Sequence, residues 1–126
     1  VSNEALKIIS DAMKSLKINY AFMEWKGKVT YPYFVGEYTE NPPTNEDGMQ
    51  ETTFLITGFS RESWEALENT KEKIKSYFDK VGGKTVMADN GSAVAVFYLN
   101  SLVVPTGDSE LKKIQINLSI KEWSVN

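Results

Sequence analysis

Four short stretches carry side chains of the kind that hold a phosphate, a metal or a sugar. Gly83-Lys84-Thr85 has the ending of a phosphate-binding loop, in which backbone N–H groups and a lysine cradle a nucleotide. Two facts defeat it: the motif's first glycine would fall on Phe78, and the glycine pair leaves a helix for a strand. The cradle needs N–H groups at a helix start. Asn45-Glu46-Asp47-Gly48 crowds oxygen atoms before a glycine, as a calcium loop does. With Gly48 in the glycine place, the first ligand falls on Pro43 and the bidentate one on Phe54, and neither side chain coordinates. Asn90-Gly91-Ser92 and Asn117-Leu118-Ser119 match the glycosylation tripeptide, but the sequence opens without the basic and apolar regions of a secretory signal.

The composition narrows the chemistry further. Cysteine is absent, which removes disulfides, thiolate nucleophiles and cysteine-bound metals. Histidine is absent too, and with it every Ser-His-Asp or Cys-His arrangement and the commonest general base near neutral pH. No pair of carboxylates stands out from the many Asp and Glu for acid–base work. The expectation is a protein that is not an enzyme and holds no cofactor or metal. Seventeen acidic against fourteen basic residues give a net charge of −3, which disfavours adhesion to nucleic acid or to an anionic membrane. The aromatic density of Tyr20, Phe22, Trp25, Tyr31, Tyr33, Phe34 and Tyr38 is of a kind that stacks single-stranded bases, but no positive groove accompanies it. No apolar run reaches the ~18 residues of a membrane span. A soluble protein made in the cytoplasm is expected.

The elements that would position any site read clearly. Asn3 to Leu16 places Leu6, Ile9, Met13 and Leu16 on one stripe, so an amphipathic helix is expected there, capped by Ser2 or Asn3. A short strand from Ile18 to Lys26 and a second from Tyr31 to Tyr38 follow. Thr52 to Phe59 is β-branched and aromatic and reads as a strand. Ser60 is expected to stop that strand and cap a long helix that buries Trp64, Leu67, Ile74 and Phe78 and ends at Val81-Gly82-Gly83. Lys84 to Met87 and Ala93 to Val104 read as strands joined by a tight turn. Ile114, Ile116, Leu118 and Ile120 alternate with Gln115, Asn117, Ser119 and Lys121 in a last strand, where Trp123 falls on the wet face.

At 126 residues the chain is one domain, residues 1–126. The expected fold is α+β: a two-layer sandwich of a mostly antiparallel sheet with two helices packed on one face. Asn41 to Met49 lacks periodicity and joins two strands as a polar loop. From Glu37 to Glu51 there are five acidic residues (Glu37, Glu40, Glu46, Asp47, Glu51) and no basic one. A solvated hairpin arm accounts for this pattern. The other reading is a functional acidic surface.

The layout resembles the small tail terminator and tail completion proteins of long-tailed bacteriophages and prophages. The residues that carry the resemblance are the N-terminal helix, the Tyr31-Pro32-Tyr33-Phe34-Val35 strand, and the acidic arm. Thr53-Phe54-Leu55-Ile56-Thr57-Gly58-Phe59-Ser60, running into the Trp64 to Phe78 helix, and the strand near Trp123 complete it. The resemblance covers nearly the whole chain and implies a structural protein of the virion tail, assembled in the bacterial cytoplasm. It further implies a ring, usually of six copies, that caps the tail tube and meets the tail tube protein and a head completion or connector protein. Glu37, Glu40, Glu46, Asp47, Glu51 and Trp123 are the candidate assembly surface. The alternative is a small-molecule-binding regulatory module of the ferredoxin-like α+β kind.

Overall fold

The computed structural model describes residues 1–41, 49–79, 84–87 and 91–123. Along the chain run α1 (Asn3–Ser15), β1 (Tyr20–Phe22), β2 (Tyr33–Glu40), β3 (Met49–Ser60), α2 (Trp64–Phe78), β4 (Lys84–Met87), β5 (Ala93–Val103) and β6 (Lys112–Trp123). The described strands form one sheet of six in the order β1-β2-β3-β6-β5-β4. Every ladder is antiparallel except β1 on β2, so the mostly antiparallel α+β reading holds.

The two longest strands, β3 and β6, pair along their full length at the centre, from Met49 opposite Trp123 to Ser60 opposite Lys112. This register aligns Phe54 with Leu118 and Ile56 with Ile116 on one face, where all four are fully buried. Phe34 from β2 and Val96 from β5 extend that apolar face sideways. Ala5, Ile9, Ala12 and Met13 of α1 and Leu67, Ile74 and Phe78 of α2 close over it in one core cluster.

The sheet is not the layer of a two-layer sandwich: it curls into a half-barrel. Dimensions account for this. β3 has 12 residues, about 40 Å when extended. α2 has 15, about 22 Å. Two helices of that size cannot roof a flat six-stranded sheet whose central strands are this long, whereas a curled sheet wraps its apolar face around them. A register shift between Tyr98 and Asn100 in β5 adds local twist of the kind that bends a strand.

Several expected boundaries move. Ser60 does not cap α2; it ends β3 as a buried residue, and its Oγ accepts from the Glu62 N–H at 3.0 Å. The cap is Ser63, whose Oγ accepts from the Ala66 N–H at 3.3 Å. Two serines three places apart offer equivalent caps, and the β6 ladder takes the first by pairing out to Lys112. Trp64, expected in the buried stripe, is 41% exposed because it opens the helix beyond the sheet's cover. α2 ends at Phe78 with Asp79 as its C-cap, and the glycine pair expected there lies outside the described residues. The strand expected from Ile18 to Lys26 is only Tyr20–Phe22.

Candidate assembly surface

Register fixes which side chains share the face of the sheet opposite the helices. Across β2, β3, β6 and β5 the rows are Val35, Thr57, Gln115 and Leu102, then Glu37, Leu55, Asn117 and Asn100. Next come Thr39, Thr53, Ser119 and Phe97, and beyond them Glu51, Lys121 and Ala95, then Met49, Trp123 and Ala93. The middle of this face is polar and uncharged. The Asn117 amide donates to Asn100 Oδ1 at 2.7 Å, and the Gln115 amide donates to Asn117 Oδ1 at 3.0 Å. The Ser119 hydroxyl is buried among these side chains without a hydrogen-bond partner. Lys121 lies over the Phe97 ring and Lys113 over the Phe59 ring, at 5.6 and 5.5 Å from the ring centres.

The candidate residues are only partly gathered. Glu37, Glu51 and Trp123 fall on this face; Glu40 falls on the other, in register with Thr52. Glu37 is exposed at the sheet's side. Glu51 is half-buried and in register with Lys121, whose ammonium lies over the Phe97 ring of β5 and forms no ion pair with Glu51. Glu40 forms an ion pair with the Val1 amino group. Glu46 and Asp47 lie outside the described residues. Trp123 sits at the end of β6 between Met49 and Ala93 and is 37% exposed. The described part of the arm is therefore not one acidic patch: Glu40 lies on the face opposite Glu37 and Glu51 and is paired with an amino group.

A second feature lies at the opposite end of the same face. Tyr33 stacks on Phe59 at 5.0 Å, and Trp25 and Tyr31 tilt against Tyr33 at 5.2 and 5.6 Å. Burial pushes the Tyr33 phenol above its usual range, Tyr31 adds to this, and the Arg61 cation opposes it. Arg61 donates to Tyr31 Oη at 3.2 Å and to Asp108 Oδ2 at 3.3 Å. A surface groove of about 380 Å³ runs beside these rings, with Glu37 and Lys113 on its walls.

The sequence reading misses the exposure of the sheet's edges. Phe22 and Met23 at β1 are 39% and 57% exposed, and Leu99, Leu102 and Val103 of β5 are 51%, 47% and 55% exposed. The signal was present in strand length: β4 has four residues and β5 has eleven, so β4 covers less than half of its neighbour. Among the described residues no group of His, Cys, Asp and Glu is placed to hold a metal, and no helix is long and apolar enough to cross a membrane.

No family model matches the chain, and neither does any curated protein.

Proposed function

We propose that this chain is a structural protein of a phage or prophage tail, one that caps the tail tube and joins it to the head as a ring of copies. The observation that carries this reading is the exposure of large apolar side chains toward both sides of the sheet, at β1 and along the part of β5 that β4 leaves uncovered. A ring needs two different, complementary patches on each copy, because its contacts are heterologous. Exposed strand edges are strong association surfaces. The grooves among the described residues are lined by surface side chains and gather no converging set of catalytic groups.

In this role the tail tube protein and a head completion protein are the partners, and the virion tail is the location. The hairpin arm between β2 and β3 reaches the tube or a neighbour, and its carboxylates keep the phosphate backbone of passing DNA from adhering. Glu46→Lys with Asp47→Lys then leaves the fold intact and disturbs assembly or DNA passage; a normal phage yield from the double variant counts against this role for the arm.

The test of the main reading combines light scattering across protein concentration with electron microscopy of tail tubes mixed with the protein. Rings, or caps at tube ends that stop further growth, are expected. A protein that stays monomeric and leaves tube ends free and growing refutes the reading.

One observation favours a second reading, a small-molecule-binding regulatory module: the groove lined by Trp25, Tyr33 and Phe59 beside Glu37. A monomer whose melting temperature rises sharply with one metabolite supports it.

A further inference from the structure

The ladder between β4 and β5 ends at Val96, opposite Lys84. From Phe97 to Val103 the side of β5 away from β6 has no described strand beside it. Antiparallel ladders alternate between residues that bond across the pair and residues whose backbone groups face outward. Val104 donates to the Lys113 carbonyl at 3.0 Å, so Asn100 and Leu102 bond toward β6 while Ser101 and Val103 turn their N–H and C=O groups outward. Natural sheets blunt such edges with charge or proline. The whole of β5 contains neither.

The other side of the sheet ends at β1, which pairs only with β2. β1 is also free of charge, and a groove of about 400 Å³ runs between it and α1, which contributes Leu6 and Ser10 and the charged Lys7, Asp11 and Lys14. Phe22 and Met23 stand exposed at its end.

We propose that a second copy of this chain occupies the free edge of β5, placing its own β1 edge against Ser101–Val103 so that the sheet continues from one copy into the next. The inference rests on the ring reading and names its contact. Neither strand carries a charge, and β5 brings none to meet Lys7, Asp11 and Lys14 of α1 beside β1, so the approach brings no like charges together. Both carry exposed apolar side chains that the contact removes from water. They lie on opposite sides of one sheet, so each copy that docks presents a fresh edge. Pairing of this kind is head-to-tail and closes into a ring when the rotation between copies allows it.

The absence of cysteine makes the contact directly readable. Met23→Cys and Leu102→Cys are prepared separately, both at exposed positions, and treated with a short bis-maleimide alone and as a mixture. The expected result is a covalent dimer in the mixture, little in either variant alone, and a ladder of species from the double variant. Met23→Cys with Val103→Cys, also exposed, is expected to form the same ladder, and Leu102→Lys, which puts a charge on the edge, is expected to abolish it in that background while far-ultraviolet circular dichroism stays unchanged. Efficient dimer formation by Leu102→Cys alone overturns the inference in favour of a two-fold contact between β5 edges. Oligomers in light scattering without any cross-link from the mixture overturn it while leaving the ring reading in place. A protein that stays monomeric at every concentration, uncross-linked and without effect on tube ends, overturns both.

Discussion

Gly58 offers the most direct test of how the core is built. It lies in β3, in register with Phe34 on one side and Ile114 on the other, and both of these side chains are buried. A Cβ at this position would lie 2.6 Å from Phe34 Cδ1 and 2.8 Å from Cζ, with Cε1 closer still. An uncharged methyl group at such distances must displace the ring. Phe34 has no exposed surface and therefore no open direction in which to turn. Overpacking of this kind costs about 3 kcal/mol, the upper end of the usual range. For 126 residues the entropy of unfolding converts each kcal/mol into about 4 °C, so Gly58→Ala is expected to lower the melting temperature by about 12 °C. Urea denaturation followed by circular dichroism measures the loss, and a cycle with Phe34→Leu locates it. In the Phe34→Leu background the glycine substitution is expected to cost less than about 1 kcal/mol, because the shorter side chain vacates the space. A loss below about 0.5 kcal/mol in the native background, or an equal loss in both backgrounds, refutes the packing described for β2 and β3.

Ser63→Ala removes the hydroxyl that caps α2 and is expected to cost about 1 kcal/mol of stability; no change in urea midpoint refutes the assignment of the cap. Ile116→Ala, at the centre of β6 with no exposed surface, is expected to cost about 3–4 kcal/mol in the same assay, and a loss under 1 kcal/mol would place it outside the core. The Asp108 carboxyl is held below its ordinary value, first by the Glu110 N–H and further by Arg61. A depressed acid contributes stability that is fully present above its unfolded pKa, about 3.9, and is lost as pH falls through the folded value. The stability difference between the native protein and Asp108→Asn should therefore shrink as pH is lowered through that window, and a difference that stays constant refutes the linkage.

Periodicity carried most of the fold. The alternation of Ile114, Ile116, Leu118 and Ile120 is legible because one face of β6 is buried and the other faces water, and a period of two records that contrast. The stripe of Ile9 and Met13 in α1 is legible for the same reason at helical spacing. The start of α2 was not, because Ser60 and Ser63 are chemically equivalent caps and the choice between them belongs to the partner strand at Lys112. The curl of the sheet was also hidden: it follows from the width of six strands against the girth of two helices, a comparison that no local window contains. The candidate surface was legible only in part. A run of carboxylates is visible in the sequence, but which of them share a face is set by the register of β2, β3 and β6, and the amino group that pairs with Glu40 is that of Val1, far along the chain. The free edge of β5 was invisible because an edge is defined by the strand that fails to lie beside it.

The position of β6 has a consequence for how the protein is made. It is the last described strand, yet it lies at the centre, joining β1-β2-β3 to β5-β4. During synthesis on a ribosome the earlier strands emerge as two separate fragments, each with one apolar flank and neither able to complete the other. Phe54 and Ile56 then wait for partners some sixty residues downstream, at Leu118 and Ile116. Such long-range pairing folds slowly, since loop closure is paid in entropy before contact is made. A nascent chain of this design is exposed to aggregation until β6 emerges and slides between the two fragments, and its arrival is what unites the sheet.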